Sequence, residues 1–172
     1  AAYKRACYNL EGTAMAEKAA MDKVRQLSDK PEVAGMIEVR KKELDNLLQL
    51  HLSALKELMI NRTGQIKTSL IDLTPNSLEK KAMKIVPSLT DKALNMGYGG
   101  EWNYISALSS DFLSKNHYGN IVNTSEAAGL ADGKRNLLDI KKMVDAQFEK
   151  ESPLQDIINY YTVLKEAGLM KY

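Results

Sequence analysis

Two histidines, one cysteine and two glycine-rich stretches are where this sequence has the residue types for chemistry. His51 sits among apolar residues, with Leu47 and Leu48 just before it and Ala54 and Leu55 just after. A metal or proton-transfer site on a helix needs a carboxylate or a second histidine at those spacings, and none is there. The pattern favours a hydrogen-bonded histidine in or beside the core. His117, within Asn116-His-Tyr-Gly, reads as a solvated turn residue. Neither a metal site nor a Ser-His-Asp triad has recognisable parts. Cys7 is the sole cysteine, which excludes an intrachain disulfide and a Cys-based zinc site. It reads as a small buried apolar group.

The stretch NMGYGGEWNYIS, residues 95–106, places Gly97, Gly99 and Gly100 directly before Trp102, the only tryptophan. A dinucleotide fingerprint needs Gly-x-Gly-x-x-Gly after a strand. The third glycine is at the wrong spacing and a helical pattern precedes it, so a corner between helices is the simpler reading. Gly129-Leu-Ala-Asp-Gly-Lys-Arg135 has one residue too few for a phosphate loop and lacks the hydroxyl that would hold magnesium. Carboxylates are scattered over helical faces with no local pairing signature for glycoside chemistry. The basic runs Arg40-Lys41-Lys42, Lys80-Lys81 and Lys141-Lys142 have acidic neighbours, and read as solvated faces rather than a phosphate-binding stripe.

The elements that hold these residues read as helices. Ala, Leu, Lys, Glu and Met are abundant, and strand-length β-branched runs are scarce. From about Lys4 to Leu27, Cys7, Leu10, Ala14, Met21 and Val24 recur at helical intervals in a thin, alanine-rich stripe that needs cover from elsewhere. Ser28-Asp-Lys-Pro31 is a break, and separates an N-terminal helical arm, residues 1–28, from a single helical domain, residues 29–172. Apolar residues from Val33 to Leu73 then predict a long amphipathic helix over about Glu32–Asn61, with an extension past Gly64. Asn76 with Glu79 predicts a capping box, Val86-Pro87 an interruption, and Ser88 with Asp91 a further cap. A single helical face is expected over Glu101–Lys115, carrying Trp102, Ile105 and Phe112. Two more helices follow, one capped by Asp132 and reaching Lys150, the other capped by Ser152 and ended by Gly168.

The fold class is therefore all-α: a helical bundle with one long amphipathic helix and several shorter ones. Tyr98, Trp102, Tyr104, Phe112 and Tyr118 crowd one short segment, and Tyr160, Tyr161 and Tyr172 a second. Trp102 and Phe112 are the expected core anchors. Tyrosine and tryptophan also dominate binding hot spots, so Tyr98, Trp102, Tyr104, Tyr118, Tyr160 and Tyr161 are the candidate partner-binding residues.

A formal net charge of +2 lacks the basic excess of a dedicated nucleic-acid binder, and no nucleic-acid partner is expected. No apolar run approaches a membrane span. The expectation is a non-catalytic structural or interaction subunit without cofactor or metal, whose partners are other protein subunits in a homo- or hetero-oligomer. A scaffold-like particle and peripheral docking on a membrane complex both fit. A small-ligand or pigment-binding bundle with a pocket near Trp102 is the alternative, and an enzyme with acids converging from several helices is the third reading.

Overall fold

The computed structural model describes residues 2–28, 30–63, 72–96 and 100–172. The protein is all-α, 68% helical, with nine helices and one two-stranded sheet among the described residues. It divides into two compact units, 1–74 and 75–172. The break at 28–31, expected to end an arm, is instead the turn between the two helices of the first unit.

The first unit is a helical hairpin. α1 runs Ala2–Arg25 and α2 runs Pro31–Thr63, with Pro31 opening the second helix where its missing N–H costs nothing. The antiparallel register can be read from three ion pairs: Lys18–Asp45, Asp22–Lys41 and Arg25–Glu38. Each step toward the end of α1 is matched by an equal step back along α2. Between the helices Tyr3, Cys7, Gly12, Ala14 and Ile37 are buried. Most of these are small, so the seam removes little apolar area from water. The thin stripe of α1 leans on α2. Of the extension expected past Gly64 to Leu73, residues 64–71 lie outside the described residues, and Asp72 and Leu73 are not helical.

The second unit carries the denser core. Asn76 and Glu79 form a full capping box at the start of α3 (Ser77–Ala82): Asn76 Oδ1 accepts from Glu79 N at 2.9 Å and Glu79 Oε2 accepts from Asn76 N at 2.7 Å. β1 (Ser88–Leu89) pairs antiparallel with β2 (Met170–Lys171). Thr90, not Ser88, caps α4 (Asp91–Leu94), because Ser88 is committed to the strand pair. The face expected over Glu101–Lys115 is two helices, α5 (Glu101–Ile105) and α6 (Ser110–Lys115), since Ser109 accepts from Phe112 N and starts a new helix. Asn123 caps α7 (Thr124–Gly129).

α8 (Leu137–Phe148) and α9 (Leu154–Glu166) supply the centre of the core through Leu137, Ile140, Val144, Ile157, Tyr161 and Val163. Asn136, not Asp132, caps α8; Asp132 Oδ1 instead accepts from Lys134 N and Arg135 N in the preceding turn. Ser152 does not cap α9 either. It is fully buried, with its N–H donating to Asp145 Oδ1 at 2.8 Å and its Oγ accepting from Val122 N at 3.1 Å. Gly168 ends α9 as expected: at φ +73° its N–H reaches Lys165 O and the next N–H reaches Leu164 O, the paired bonds of a Schellman motif.

Candidate functional site

Trp102 and Ile105 lie one turn apart on α5 but face opposite environments. Ile105 is buried and pins the helix, whereas Trp102 is 66% exposed. The expectation that Trp102 anchors the core is therefore corrected: α5 is a single turn and a half, too short to bury two large side chains on one face. A cleft of about 480 Å³ opens beside Trp102, lined by Ile105, Leu113, His117 and Tyr118. Its floor is tied down. His117 O accepts from Asn159 Nδ2 at 2.7 Å, and Asp156 Oδ2 accepts from both the backbone and side-chain nitrogens of Asn120. The exposed His117 ring folds over Gly119, where an added Cβ would stand 2.9 Å from Cε1 and would displace the ring.

The tyrosines separate into edge and core. Tyr104 is partly exposed under Lys92, whose ammonium stands 3.8 Å from the ring centroid and donates to Ala167 O at 2.8 Å. Tyr118 is half-buried with its ring 5.1 Å from that of Tyr160, and Tyr160 meets Tyr161 edge-on. Tyr160 and Tyr161, expected at a contact surface, are core residues, and Tyr161 Oη donates to Ala127 O at the inner end of α7. On α9 they follow Ile157 and Ile158 and share their inward arc. Burial pushes the hydroxyls of Tyr118, Tyr160 and Tyr161 above the usual phenol range. Tyr98 lies outside the described residues, as do Gly97 and Gly99. Gly100, at φ −66°, uses no left-handed conformation. The contact surface expected from six aromatics reduces, among described residues, to Trp102, the edge of Tyr104 and part of Tyr118.

A further exposed apolar surface lies on α2, whose apolar residues form two faces rather than the single stripe expected. Leu47 and Leu48 are adjacent, as are Leu58 and Met59, and neighbours on a helix stand about 100° apart. Ile37, Leu44, Leu48, Leu52, Leu55 and Met59 are buried or half-buried and lie on the arc that carries the ion pairs to α1. Met36, Leu47 and Leu58 recur every eleven residues, with Val39, Leu50 and Ala54 beside them, and all six are exposed. Leu50 is 64% exposed and Met36 66%. At about 1.5 Å per residue this stripe runs roughly 33 Å along the helix. Exposed apolar residues occurring singly are ordinary, whereas a row of this length along one helix face is not. His51, expected in or beside the core, is exposed at the margin of this row.

The stripe has one basic edge and one polar edge that carries a single acid. Arg40, His51 and Arg62 follow one another at the eleven-residue spacing along the margin nearer α1. Glu57 and Asn46 lie on the opposite margin. Arg40 Nη1 reaches Glu43 Oε2 at 2.7 Å across the stripe, between Met36 and Leu47. The uninterrupted apolar part is therefore Leu47, Leu50, Ala54 and Leu58.

No group of three His, Cys, Asp or Glu side chains in metal-binding proximity occurs among the described residues, and no described helix is long and apolar enough to cross a membrane. No protein-family profile, curated protein or solved structure matches the chain.

Proposed function

We propose that this chain is a non-catalytic subunit that works by protein–protein contact, with the outward face of α2 as its principal interface. The observation that carries the reading is the row of exposed apolar side chains from Met36 to Leu58 on a hairpin whose own seam is thin. A two-helix hairpin with few buried side chains gains most from a further helical layer, because helix stability in proteins comes chiefly from packing an apolar face. The wide apolar arc of α2 suits a helix with two neighbours, α1 on one side and a partner on the other. Trp102, on its short helix above an apolar cleft, supplies a second, smaller contact point of the rigid aromatic kind. Other protein subunits are the proposed partners, and peripheral docking on a membrane complex is one setting in which such a subunit works.

The test is the solution mass of the full chain by size exclusion with light scattering, compared with Leu47→Lys/Leu50→Lys. The reading predicts a mass above the 19.2 kDa monomer, or a stoichiometric co-purifying subunit, lost in the variant without loss of helicity. A compact monomer with no associated subunit, unchanged by the substitutions, contradicts it.

A cavity of about 430 Å³ in the second unit favours a second reading, as a small-ligand binder. Leu89, Leu94, Leu164 and Leu169 line it with the Glu101 carboxylate and Tyr160, and its size falls in the range of small-molecule pockets. Glu101 immediately precedes Trp102, so a ligand there would shift tryptophan emission; an interaction subunit with no ligand leaves that emission unchanged.

A further inference from the structure

From the charge pattern beside the α2 stripe we infer that its occupant is a second copy of the same helix, packed parallel to the first about a two-fold axis that runs along the helices. The inference rests on the reading of α2 as a contact face and names the partner for it.

Symmetry limits the choice of arrangement. Two identical helices that face each other meet in one of two ways. In an antiparallel pair each margin of the stripe lies against the same margin of the other copy. In a parallel pair each margin lies against the opposite one. The antiparallel choice places the row Arg40, His51 and Arg62 against itself, where the one nearby acid, Glu43, is already paired with Arg40, and it sets Glu57 on a margin that faces its own copy. The parallel choice places that row against the margin of Glu57 and Asn46. Across a parallel helix pair the margins meet about five residues out of step, the spacing at which flanking charges pair in coiled coils. Glu57 of one copy then meets Arg62 of the other, and Asn46 meets His51, each twice by symmetry. All four residues are exposed in the hairpin.

The apolar register agrees. In a parallel pair every seam position meets itself, so Leu47, Leu50 and Leu58 each pack on their own counterparts, and Ala54 lets the helices approach closely between them. The eleven-residue repeat is close to the natural period of a straight helix, so the stripe stays on one side over its whole length without a left-handed supercoil. The Arg40–Glu43 pair marks the end of the dry seam, since burying it against its copy would strip water from two charges. Four apolar positions on each helix make a contact at the low end of specific interfaces, so association in the micromolar range is expected rather than an obligate dimer.

Sedimentation equilibrium of the full chain across micromolar concentrations, with three sets of variants, tests this. The wild-type chain is expected to move from monomer to dimer, and Leu47→Lys/Leu50→Lys to remain monomeric with its circular dichroism unchanged. Arg62→Glu is expected to weaken the dimer about tenfold by facing Glu57 with a second acid, and Glu57→Arg/Arg62→Glu to restore it. Leu47→Cys and Leu58→Cys, made separately, are each expected to cross-link under mild oxidation, because a parallel seam brings both positions opposite themselves. Fully buried Cys7 leaves the introduced thiol as the accessible one. Strengthening by Arg62→Glu, or cross-linking at only one of the two cysteine positions, overturns the parallel arrangement. A chain that is monomeric throughout but binds a different subunit through α2 overturns the second-copy inference and leaves the interaction-subunit reading standing. A monomer that binds nothing through α2 overturns both.

Discussion

Asp145 is a buried carboxylate that ties two segments of the second unit together, and its removal tests how that unit is held. The residue is 5% exposed. Its carboxylate pairs with the buried Lys141 ammonium one turn earlier on α8 and accepts the Ser152 N–H at 2.8 Å. Ser152 in turn holds Val122, so Asp145 fastens both the α8–α9 turn and the segment leading into α7. Asp145→Ala leaves the Lys141 charge with Glu151, at 3.8 Å and half-exposed, as its remaining nearby carboxylate. It also leaves the Ser152 N–H without its acceptor. Breaking a buried ion pair costs about 3–5 kcal/mol. The remaining Glu151 places this case at the lower end, about 3 kcal/mol, which lowers the melting temperature of a unit of this size by about 12–24 °C. The double variant Lys141→Met/Asp145→Leu removes both charges and is expected to recover the ion-pair share of the loss, leaving about 1 kcal/mol for the orphaned Ser152 N–H. Differential scanning calorimetry of the full chain reads both. A drop below about 4 °C for Asp145→Ala, or a double variant no better than the single, refutes the account of the network.

Four further outcomes follow from the same structure. Burial raises the Tyr160 and Tyr161 hydroxyls above the unfolded phenol value, so their contribution is full below about pH 10 and is lost as pH rises beyond it; absorbance at 295 nm is expected to show these two ionising only as the second unit unfolds. Burial alone would raise the Asp132 carboxyl, but the Arg135 and Lys134 N–H groups and the Arg135 charge outweigh it and hold the carboxyl below its usual range. Its contribution is therefore present above about pH 3.9 and lost as pH falls further, and Asp132→Asn is expected to flatten the acid limb of thermal stability against pH. Glu149 closes α8 at φ 52°, a left-handed conformation that disfavours a side chain, so Glu149→Gly is expected to raise stability by up to about 1 kcal/mol in a urea titration. Trp102→Ala is expected to change stability by less than about 0.5 kcal/mol, against about 2–5 kcal/mol for Leu137→Ala, and equal losses would contradict the exposed placement of Trp102.

The sequence carried helix positions well where caps and breakers are local. α2 spans Pro31–Thr63 against an expectation of Glu32–Asn61, and the Asn76–Glu79 box and the Gly168 stop stand where their side chains require. It failed where two candidate caps compete for one turn. Ser88 lost to Thr90, Asp132 to Asn136, and Ser152 was drawn inward by Asp145, choices made by tertiary hydrogen bonds that no window of residues contains. The aromatic reading inverted for a related reason. Clustering of Trp102 with tyrosines says nothing about which ring a one-turn helix can bury, whereas the Ile157-Ile158-Tyr160-Tyr161 run on a longer helix does point inward. The outward apolar face of α2 was legible in principle: adjacent apolar pairs such as Leu47-Leu48 and Leu58-Met59 signal a helix with two apolar faces. Reading them as one stripe hid the face that α1 leaves open.

The most direct measurement of the central claim, that the outward face of α2 is an interface, is hydroxyl-radical footprinting of the full chain in its associated and dissociated states. Leu47, Leu50 and Leu58 should lose reactivity several-fold on association, while Met83, exposed on the second unit, keeps its rate as the internal reference. Association with Leu50 and Leu58 labelled as fast as before would contradict the account and move the interface elsewhere on the chain.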